Sequence, residues 1–355
     1  MKRVVSVFSV LLLYFLCITC SGGGSSTGTP DSAERIVDAS GGGDFRDIQS
    51  ALNGASPGTV ILVKNGTYRG KINIMTSGAP GNPITIANFP DHNPVIVPGT
   101  ERGNRVEFNA NYVVLEGFEI RGGYDGVKFY QGNNTIRNNY IHDNLYQGIL
   151  IISTDNIVIE SNTIAYNGVD PGECQFDGVS SPKHCHGIYM SDFECSGIDN
   201  IVIRNNYILG HGGRGIQWNG QGCQSKMTDT LVDGNLIENN SWGLALYYNV
   251  EGAVITNNIF IGDSRPNTDD VDWTFIGIWK SQDNTITNNE FHTSLPDFAA
   301  VQVYDSESED SFVDNNIWRV AGTLWIWNGD KRSDWQNYRD ITGWDLNSNI
   351  CIGCG

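Results

Sequence analysis

The fold of this chain is decided by the stretch Thr135-Ile-Arg-Asn-Asn139-Tyr-Ile141, because close copies of it return along the sequence. Each copy alternates apolar and polar residues, turns at a pair that ends in asparagine, and then continues with further apolar residues. The copies are Thr135–Ile141, Ile157–Ile164, Ile201–Ile208, Leu231–Ile237, Val254–Phe260, Thr285–Phe291 and Phe312–Trp318. Their shortest spacing is about 23 residues, and a fixed period of that size is typical of stacked coils in a solenoid.

Between these copies lies a second set of short stretches, most of which open with glycine. They are Gly126–Tyr130, Gly148–Ile152, Gly187–Ser191, Gly215–Asn219, Gly243–Tyr247, Gly277–Ser281, Ala300–Tyr304 and Thr323–Trp327. Their apolar residues alternate with a period of two, which is typical of strands with one buried face. Asparagine tolerates the left-handed backbone of tight corners, and stacked asparagine side chains bond to one another. The sequence therefore predicts an all-β chain folded as a parallel β-solenoid.

Short helices are predicted at both ends of the solenoid. Asp44–Leu52 has apolar residues along one face, and Ser333–Gly343 has an N-capping residue and a glycine stop. Each helix would cover a terminal coil that otherwise exposes an unpaired edge.

These features resemble the bacterial right-handed parallel β-helix proteins of the pectate-lyase-like superfamily. The resemblance covers residues 35–350 and is carried by the asparagine copies, the opening stretches Phe45–Tyr68 and Gly81–Ile86, and the closing stretch Trp335–Ser348. It implies a right-handed parallel β-helix domain over residues 35–355 with capping helices. That fold carries lyases, hydrolases, epimerases and non-catalytic binders, so the resemblance alone does not fix a reaction.

The N-terminal residues predict export. A basic start is followed by an apolar run that ends at Cys20, so residues 1–19 are expected to be a lipoprotein-type signal peptide. Residues 20–34 would form a Gly/Ser tether with a lipidated Cys20. We therefore expect a monomeric outer-membrane lipoprotein, at the cell surface or in the periplasm, that meets the membrane only through its lipid anchor. The alternative is an ordinary cleaved signal and a secreted protein.

The charge balance limits the partners. Lys and Arg number 22 against 40 Asp and Glu, which gives a net charge of −18 and excludes nucleic acid as a default partner. An acidic chain does not attract a polyanionic glycan from a distance, so any uronate site needs its cations grouped locally. Such a group is predicted on the central coils: Lys128, Lys183, His184, His186, His211, Arg214 and Lys226.

Cysteines beyond Cys20 are expected to form disulfides, since an even number in an exported chain favours them. They are Cys174, Cys185, Cys195, Cys223, Cys351 and Cys354. Cys351 and Cys354 could close a terminal loop, and the other pairings stay open. A zinc site of Cys174, His184, Cys185 and His186 is a less favoured alternative. No cofactor is assigned, although the acidic loop of Asp269, Asp270 and Asp272 leaves calcium open.

One outer face of the second strand set is predicted to form a sugar-binding groove. Aromatic rings stack on sugars and amides bond hydroxyl groups, whereas the alternative is that these rings only stack across neighbouring coils. The candidate binding residues are Tyr130, Gln217, Asn219, Tyr247, Trp279, Gln302, Tyr304, Trp325 and Trp327.

The first functional hypothesis is a polysaccharide lyase that cleaves a uronic-acid glycan by β-elimination. Such a reaction needs a cation on the carboxylate, a base for the neighbouring carbon and an acid for the leaving oxygen. Arg214 or Lys128 is the predicted cation, His186 the base, and Tyr189 the acid or base. The alternative for the histidines is that they fill turns.

Two further hypotheses stay open. A glycoside hydrolase would use two carboxylates from Glu173, Asp177, Asp192 and Glu194, and their separation would set the stereochemistry. A non-catalytic glycan-binding lipoprotein would need only the groove. The paired-aspartate order of polygalacturonases and the calcium cluster of pectate lyases are not found in the sequence.

Overall fold

The computed structural model describes residues 34–352, apart from 101–102, 171, 173, 177–178, 264–273, 296–297, 304–307, 309–310, 321–323, 328–329 and 333–334. The predicted signal peptide and Cys20 lie outside these residues. No helix in the described part of the chain is long and apolar enough to span a membrane.

Three sheets run along a right-handed parallel β-helix, and the chain visits sheets A, B and C in turn on each coil. Sheet A contains Glu34–Val37, Val60–Val63, Ile84–Asn88, Val113–Glu116, Asn134–Arg137, Ile157–Glu160, Ile201–Arg204, Leu231–Asp233, Val254–Thr256, Thr285–Thr287 and Phe312–Asp314. Sheet B contains Thr67–Arg69, Val95–Val97, Glu119–Arg121, Tyr140–His142, Thr163–Ala165, Tyr207–Leu209, Leu236–Glu238, Ile259–Ile261, Glu290–Thr293, Ile317–Val320 and Asn349–Ile352.

Sheet C lies between sheets B and A on each coil and carries the second strand set of the sequence. It contains Ile72–Ile74, Val106–Phe108, Val127–Phe129, Ile149–Ile152, Ile188–Ser191, Arg214–Asn219, Trp242–Tyr247, Thr274–Trp279, Ala299–Val303, Leu324–Trp327 and, as an antiparallel last strand, Asp330–Arg332. Gln175–Phe176 with Val179–Ser180, and Ile198–Asp199 with Met227–Thr228, form two small extra pairs.

The core is a stack of identical inward positions. In sheet A, Ile136, Ile159, Ile203 and Val232 lie in register on successive coils and are fully buried. Burying each such side chain stabilises the fold by about 2 kcal/mol. The period-two alternation predicted from the sequence is therefore the alternation between this core and the outer faces.

Asparagines hold the corner between sheets A and B, as the sequence predicts. The first residue of each pair takes the left-handed backbone, as in Asn138 (φ 56°) and Asn205 (φ 55°). The second points inward and accepts a backbone N–H from the coil before, as when Asn206 Oδ1 receives Asn162 N–H at 2.9 Å. This asparagine ladder runs through Asn139, Asn162, Asn206, Asn235, Asn258, Asn289 and Asn316.

Both predicted capping helices are present, and the first is shorter than expected. The first is Ile48–Leu52, and it begins only after Asp47 accepts the Ser50 N–H at 2.7 Å. It starts late because Phe45 still bridges to Val37 beside the first strand. The second is Trp335–Thr342, which stops before Gly343 at φ 69°.

The asparagine ladder ends on a buried carboxylate that follows the second helix. Asp345 accepts Asn316 Nδ2–H and Trp318 Nε1–H at 3.3 Å each, and Tyr338 Oη–H at 3.2 Å. The last ladder residue therefore keeps bonding partners where the stack of coils stops.

The ladder predicts unequal effects of two neighbouring asparagines. Asn206→Ala leaves Asn162 N–H and Ile159 C=O without their side-chain partner, and each buried loss costs about 1–3 kcal/mol. We expect the free energy of unfolding to fall by about 3 kcal/mol, measured by urea denaturation. Asn205→Gly is the matched control, because Asn205 is exposed and glycine accepts its positive φ. Equal effects of the two substitutions would contradict the ladder's role.

Candidate active site

The outer face of sheet C brings the predicted groove residues into one line. Lys128, Leu150, Tyr189, Gln217 and Ala245 pair in register on successive coils. Neighbouring strands lie about 4.8 Å apart, so these side chains form a continuous row. The row continues through Gly277 and Gln302. Catalytic and binding candidates from distant parts of the sequence thus share one surface.

A chain of side-chain-to-backbone bonds, the corner ladder, builds the edge where sheet B turns into sheet C. Asp125 Oδ1 accepts Gln147 N–H at 3.1 Å, and Gln147 Oε1 accepts His186 N–H. His186 Nδ1 in turn accepts Arg214 N–H at 2.9 Å. Asn104 begins the chain by accepting Asp125 N–H at 3.4 Å. The ladder therefore sets where Arg214 enters the groove.

His186 fits the predicted role of base poorly. Its side chain is buried, and burial together with the charge of Arg214 holds its pKa well below the ordinary value. Its Nδ1 lone pair is already taken by Arg214 N–H, so the ring proton resides on Nε2. The imidazole is a neutral hydrogen-bond donor at this position, and its geometry is that of a positioning residue.

His211 is also not a cation, in contrast to its place in the predicted cation group. It replaces an asparagine in a second ladder, where Nδ1 accepts Asn167 N–H at 3.1 Å and Nε2 bonds Ile164 C=O at 3.1 Å. Full burial lowers its pKa to about 4, so it is neutral at pH 7. The sequence could not show this, because the bonding partners lie 44 and 47 residues away.

Arg214 is the cation that the structure places at the groove edge. Its Nη1 donates to the carbonyl of Lys183, and its guanidinium lies 4.5 Å from the ring centroid of Trp242. The Trp242 ring in turn covers the outer side of Gly277, where a side chain would collide with it. A backbone carbonyl and an aromatic face therefore both hold the Arg214 side chain at the groove edge.

Tyr189 and Asn219 form a bonded pair across neighbouring sheet C strands, the second of which begins with Arg214. Asn219 Nδ2 donates to Tyr189 Oη at 2.8 Å, and the Tyr189 ring lies 5.0 Å from that of His186. A tyrosine hydroxyl that an amide N–H holds on the groove face is a candidate group for proton transfer. Gln217 lies one coil further along, with its buried Oε1 lacking a hydrogen-bond partner in the described part of the chain.

Aromatic side chains flank this centre on both sides. Tyr247 meets Trp279 edge to face at 4.9 Å, and Lys128 Nζ lies 4.9 Å from the exposed ring of Tyr130. Gln302 is buried on the same face, and its Oε1 also lacks a partner among the described residues.

The last predicted binding residues do not extend the row as expected. The register pairs Gln302 with Ile326, and not with Trp325 or Trp327, because the pairing shifts by one residue between Ala299 and Gln302. Tyr304 lies outside the described residues.

The predicted carboxylate pair of a hydrolase is not assembled in the described part of the groove. Asp192 is buried at the opposite edge of sheet C, where it accepts bonds from Ser153 Oγ, Ser196 N–H, Gly197 N–H and Ser225 Oγ. Those bonds hold a loop. Glu194 is exposed, whereas Glu173 and Asp177 lie outside the described residues.

Disulfides join Cys174 to Cys185 and Cys195 to Cys223, and Cys351 is disulfide-bonded as well. The first bond uses both sulfurs of the alternative zinc site. No group of three or more metal-binding side chains occurs among the described residues, and the acidic loop with Asp269 lies outside them.

Sequence analysis missed Asp125, Gln147 and Trp242 as parts of this edge. A signal was present, because Asp125, Gln147, His186, Arg214 and Trp242 each directly precede the glycine near the start of a sheet C strand.

Comparisons with known proteins agree with this architecture. A family model of the "Periplasmic copper-binding protein (NosD)" matches residues 225–333. Pectate lyase L of Dickeya chrysanthemi is 30% identical over 142 residues, which are 34% of this chain and 32% of that protein. The match thus spans about a third of the curated relative's length.

Two solved structures show the same fold at low identity. An alginate lyase from Paenibacillus sp. str. FPU-7 has a TM-score of 0.60 and 17% identity, over 86% of this chain and 95% of that one. The GH136 lacto-N-biosidase from Eubacterium ramulus has a TM-score of 0.61 and 14% identity, over 90% and 68%.

The family model described as "Pel9A-like, right handed beta helix region" matches residues 36–241, which is more than half of the 355 residues. The chain belongs to this pectate-lyase-like family of right-handed β-helices.

Proposed function

We propose that the protein is an exported polysaccharide lyase that cleaves a uronic-acid glycan by β-elimination in the sheet C groove. One observation carries the proposal: His186 contacts both Arg214 and Tyr189. Its Nδ1 accepts the backbone N–H of Arg214, and its ring lies against the ring of Tyr189. Arg214 and Tyr189, whose hydroxyl accepts the Asn219 N–H, thus lie on neighbouring strands of sheet C that meet at His186. Relatives named as pectate and alginate lyases support this reaction class.

Each residue has a definite task in the proposed reaction. Arg214 pairs with the substrate carboxylate and stabilises the negative charge that spreads onto it when the neighbouring carbon loses its proton. Tyr189 takes that proton as a phenolate, which Asn219 N–H stabilises. The C–H electron pair forms the new double bond, and the C–O pair leaves with the glycosidic oxygen. The proton then passes from the phenol to that oxygen.

The described groove residues do not offer a calcium site, since no cluster of three candidate ligands occurs among them. No step is therefore derived through a metal. Arg214 supplies the positive charge in the proposed reaction, and Lys128 lies three coils away. Two disulfides beside the groove fit an exported protein.

Tyr189→Phe should abolish most of the elimination. Removing a proton-transferring group typically lowers the rate by about 10²–10⁴-fold. Activity is measured on galacturonate, mannuronate, guluronate and neutral polysaccharides, by ultraviolet absorbance of unsaturated ends and by reducing sugar in parallel. Tyr207→Phe is the matched control, because its hydroxyl is also hydrogen-bonded, to Glu238, but on sheet B. Reducing ends without ultraviolet absorbance would indicate a hydrolase instead, and neither signal with retained glycan binding would indicate a binder.

Arg214→Ala should lower kcat/KM on uronate polymers by about 10²–10³-fold, since a fixed charge no longer meets the forming anion. Arg204→Ala is the control, because that arginine pairs with Glu160 on sheet A, away from the groove. Full activity of Arg214→Ala would refute this placement of the site.

Substrate binding should strengthen as the pH falls from 7 to 5. Burial, reinforced by the charge of Glu107, raises the pKa of Asp125 to about 6, against the opposing effects of Gln147 N–H and Lys128. Protonation therefore removes a negative charge beside Lys128, while uronate carboxylates stay ionised. Asp125→Asn keeps the oxygen that accepts Gln147 N–H and should bind at pH 7 as the wild type does at pH 5. Dissociation constants measured by calorimetry at each pH check this. The same pH dependence of affinity in Asp125→Asn as in the wild type would contradict it.

A further inference from the structure

A second cleft opens at the other end of the corner ladder. It has a volume of about 360 Å³ and is lined by residues that precede the first three strands of sheet C, by Glu107 within the second of them, and by residues of the nearby turn. The lining residues are Gly70, Lys71, Gly99, Thr100, Gly103, Asn104, Arg105, Glu107 and Tyr124.

Arg105 is the unusual member of this lining. Its side chain is 1% exposed, and Nε and Nη2 both donate to the carbonyl of Gly103. Its Nη1 is buried and has no hydrogen-bond partner within the described residues. A buried charged donor without an acceptor is costly, so such a group is expected to meet a ligand. A carboxylate matches it best, because a charged acceptor forms the strongest bond with a guanidinium.

The acidic residue in the lining does not consume this charge. Glu107 already pairs with Lys71 Nζ at 3.2 Å and accepts Asn104 Nδ2–H at 2.9 Å. Among the described residues, the charge of Arg105 is therefore left for an incoming anion.

An aromatic platform adjoins the charged group. Tyr124 is 41% exposed and stacks on Tyr146 with ring centroids 4.2 Å apart and planes 18° from parallel. The stack fixes the ring while one part of it still faces solvent. A fixed and accessible aromatic ring beside a carboxylate-binding group is the combination that recognises an acidic sugar.

We propose that this cleft is a distal subsite for a second uronate residue of the same glycan chain, bound through Arg105 with its ring on Tyr124. The inference rests on the proposed function for the identity of the chain. Arg105 directly precedes the strand Val106–Phe108, and Arg214 begins the strand Arg214–Asn219. These two strands are four positions apart in sheet C, which is about 19 Å along the axis of the β-helix. The preferred substrate is therefore a long run of acidic sugars, and short oligomers reach only one of the two places.

Binding to defined oligomers tests the subsite without relying on catalysis. Calorimetry is performed on the Tyr189→Phe protein with galacturonate and mannuronate dimers and octamers, and with carboxyl-reduced octamers. We expect octamers of one acidic series to bind at least tenfold more tightly than its dimers, and reduced octamers to lose that gain. Arg105→Met should weaken octamer binding by about tenfold or more, which removes the gain, while leaving dimer affinity unchanged.

Surface variants keep the test independent of folding. Tyr124→Ala should weaken octamer binding by about fivefold, whereas Tyr140→Ala should not change it. Tyr140 is the matched control because it is 40% exposed and stacked on His142, but it lies on sheet B. Equal octamer affinities of Tyr124→Ala, Tyr140→Ala and the parent protein, or equal binding of acidic and reduced octamers, would overturn the subsite. If the wild-type protein shows no lyase activity in the polysaccharide assays while octamers still bind more tightly than dimers, only the proposed reaction is overturned.

Discussion

The structure depends on one interaction, the hydrogen bond from a backbone N–H on one coil to an inward side chain on its neighbour. Strand ladders satisfy the backbone along the three sheets, but each corner leaves amide groups buried and unpaired. In the A–B corner the second asparagine of each pair accepts that N–H, and its own Nδ2 donates to a backbone carbonyl, as Asn206 does to Ile159. A buried amide side chain is thereby fully bonded, and the coils stay in register over the length of the core.

The B–C corner uses the same device with different side chains. Here Asp125, Gln147 and His186 provide the acceptors, so structure and chemistry are combined in one row. A histidine that accepts an N–H is held neutral, and an aspartate that does so in a buried place has a raised pKa. The bonds that stack the coils therefore also set the position of Arg214, while burial at the same corner shifts the pKa values of His186 and Asp125.

Charge is arranged differently on the other faces. On sheet A, Arg137 pairs with Glu116 and Arg204 with Glu160, so the positive charges there meet carboxylates across coils. On the groove side, Lys128 lies against the ring of Tyr130. An aromatic face holds a cation in place without cancelling its charge. A strongly acidic chain can in this way offer local positive charge to an acidic glycan.

The sequence by itself determined the solenoid, because the alternation of apolar residues and the asparagine corners are local properties of each coil. It also predicted that Tyr189, Gln217 and Asn219 face outward, since alternation alone indicates which side of a strand does so. Only the tertiary structure decided the roles of His186 and His211, whose bonding partners come from coils 28 to 47 residues distant. It also decided the register near Trp325 and the joining of Asp125 to Arg214 through the corner ladder. The physical reason is that protonation and hydrogen bonding depend on the residues of the adjacent coil. Insertions of variable length between coils prevent the sequence alone from showing which residues those are.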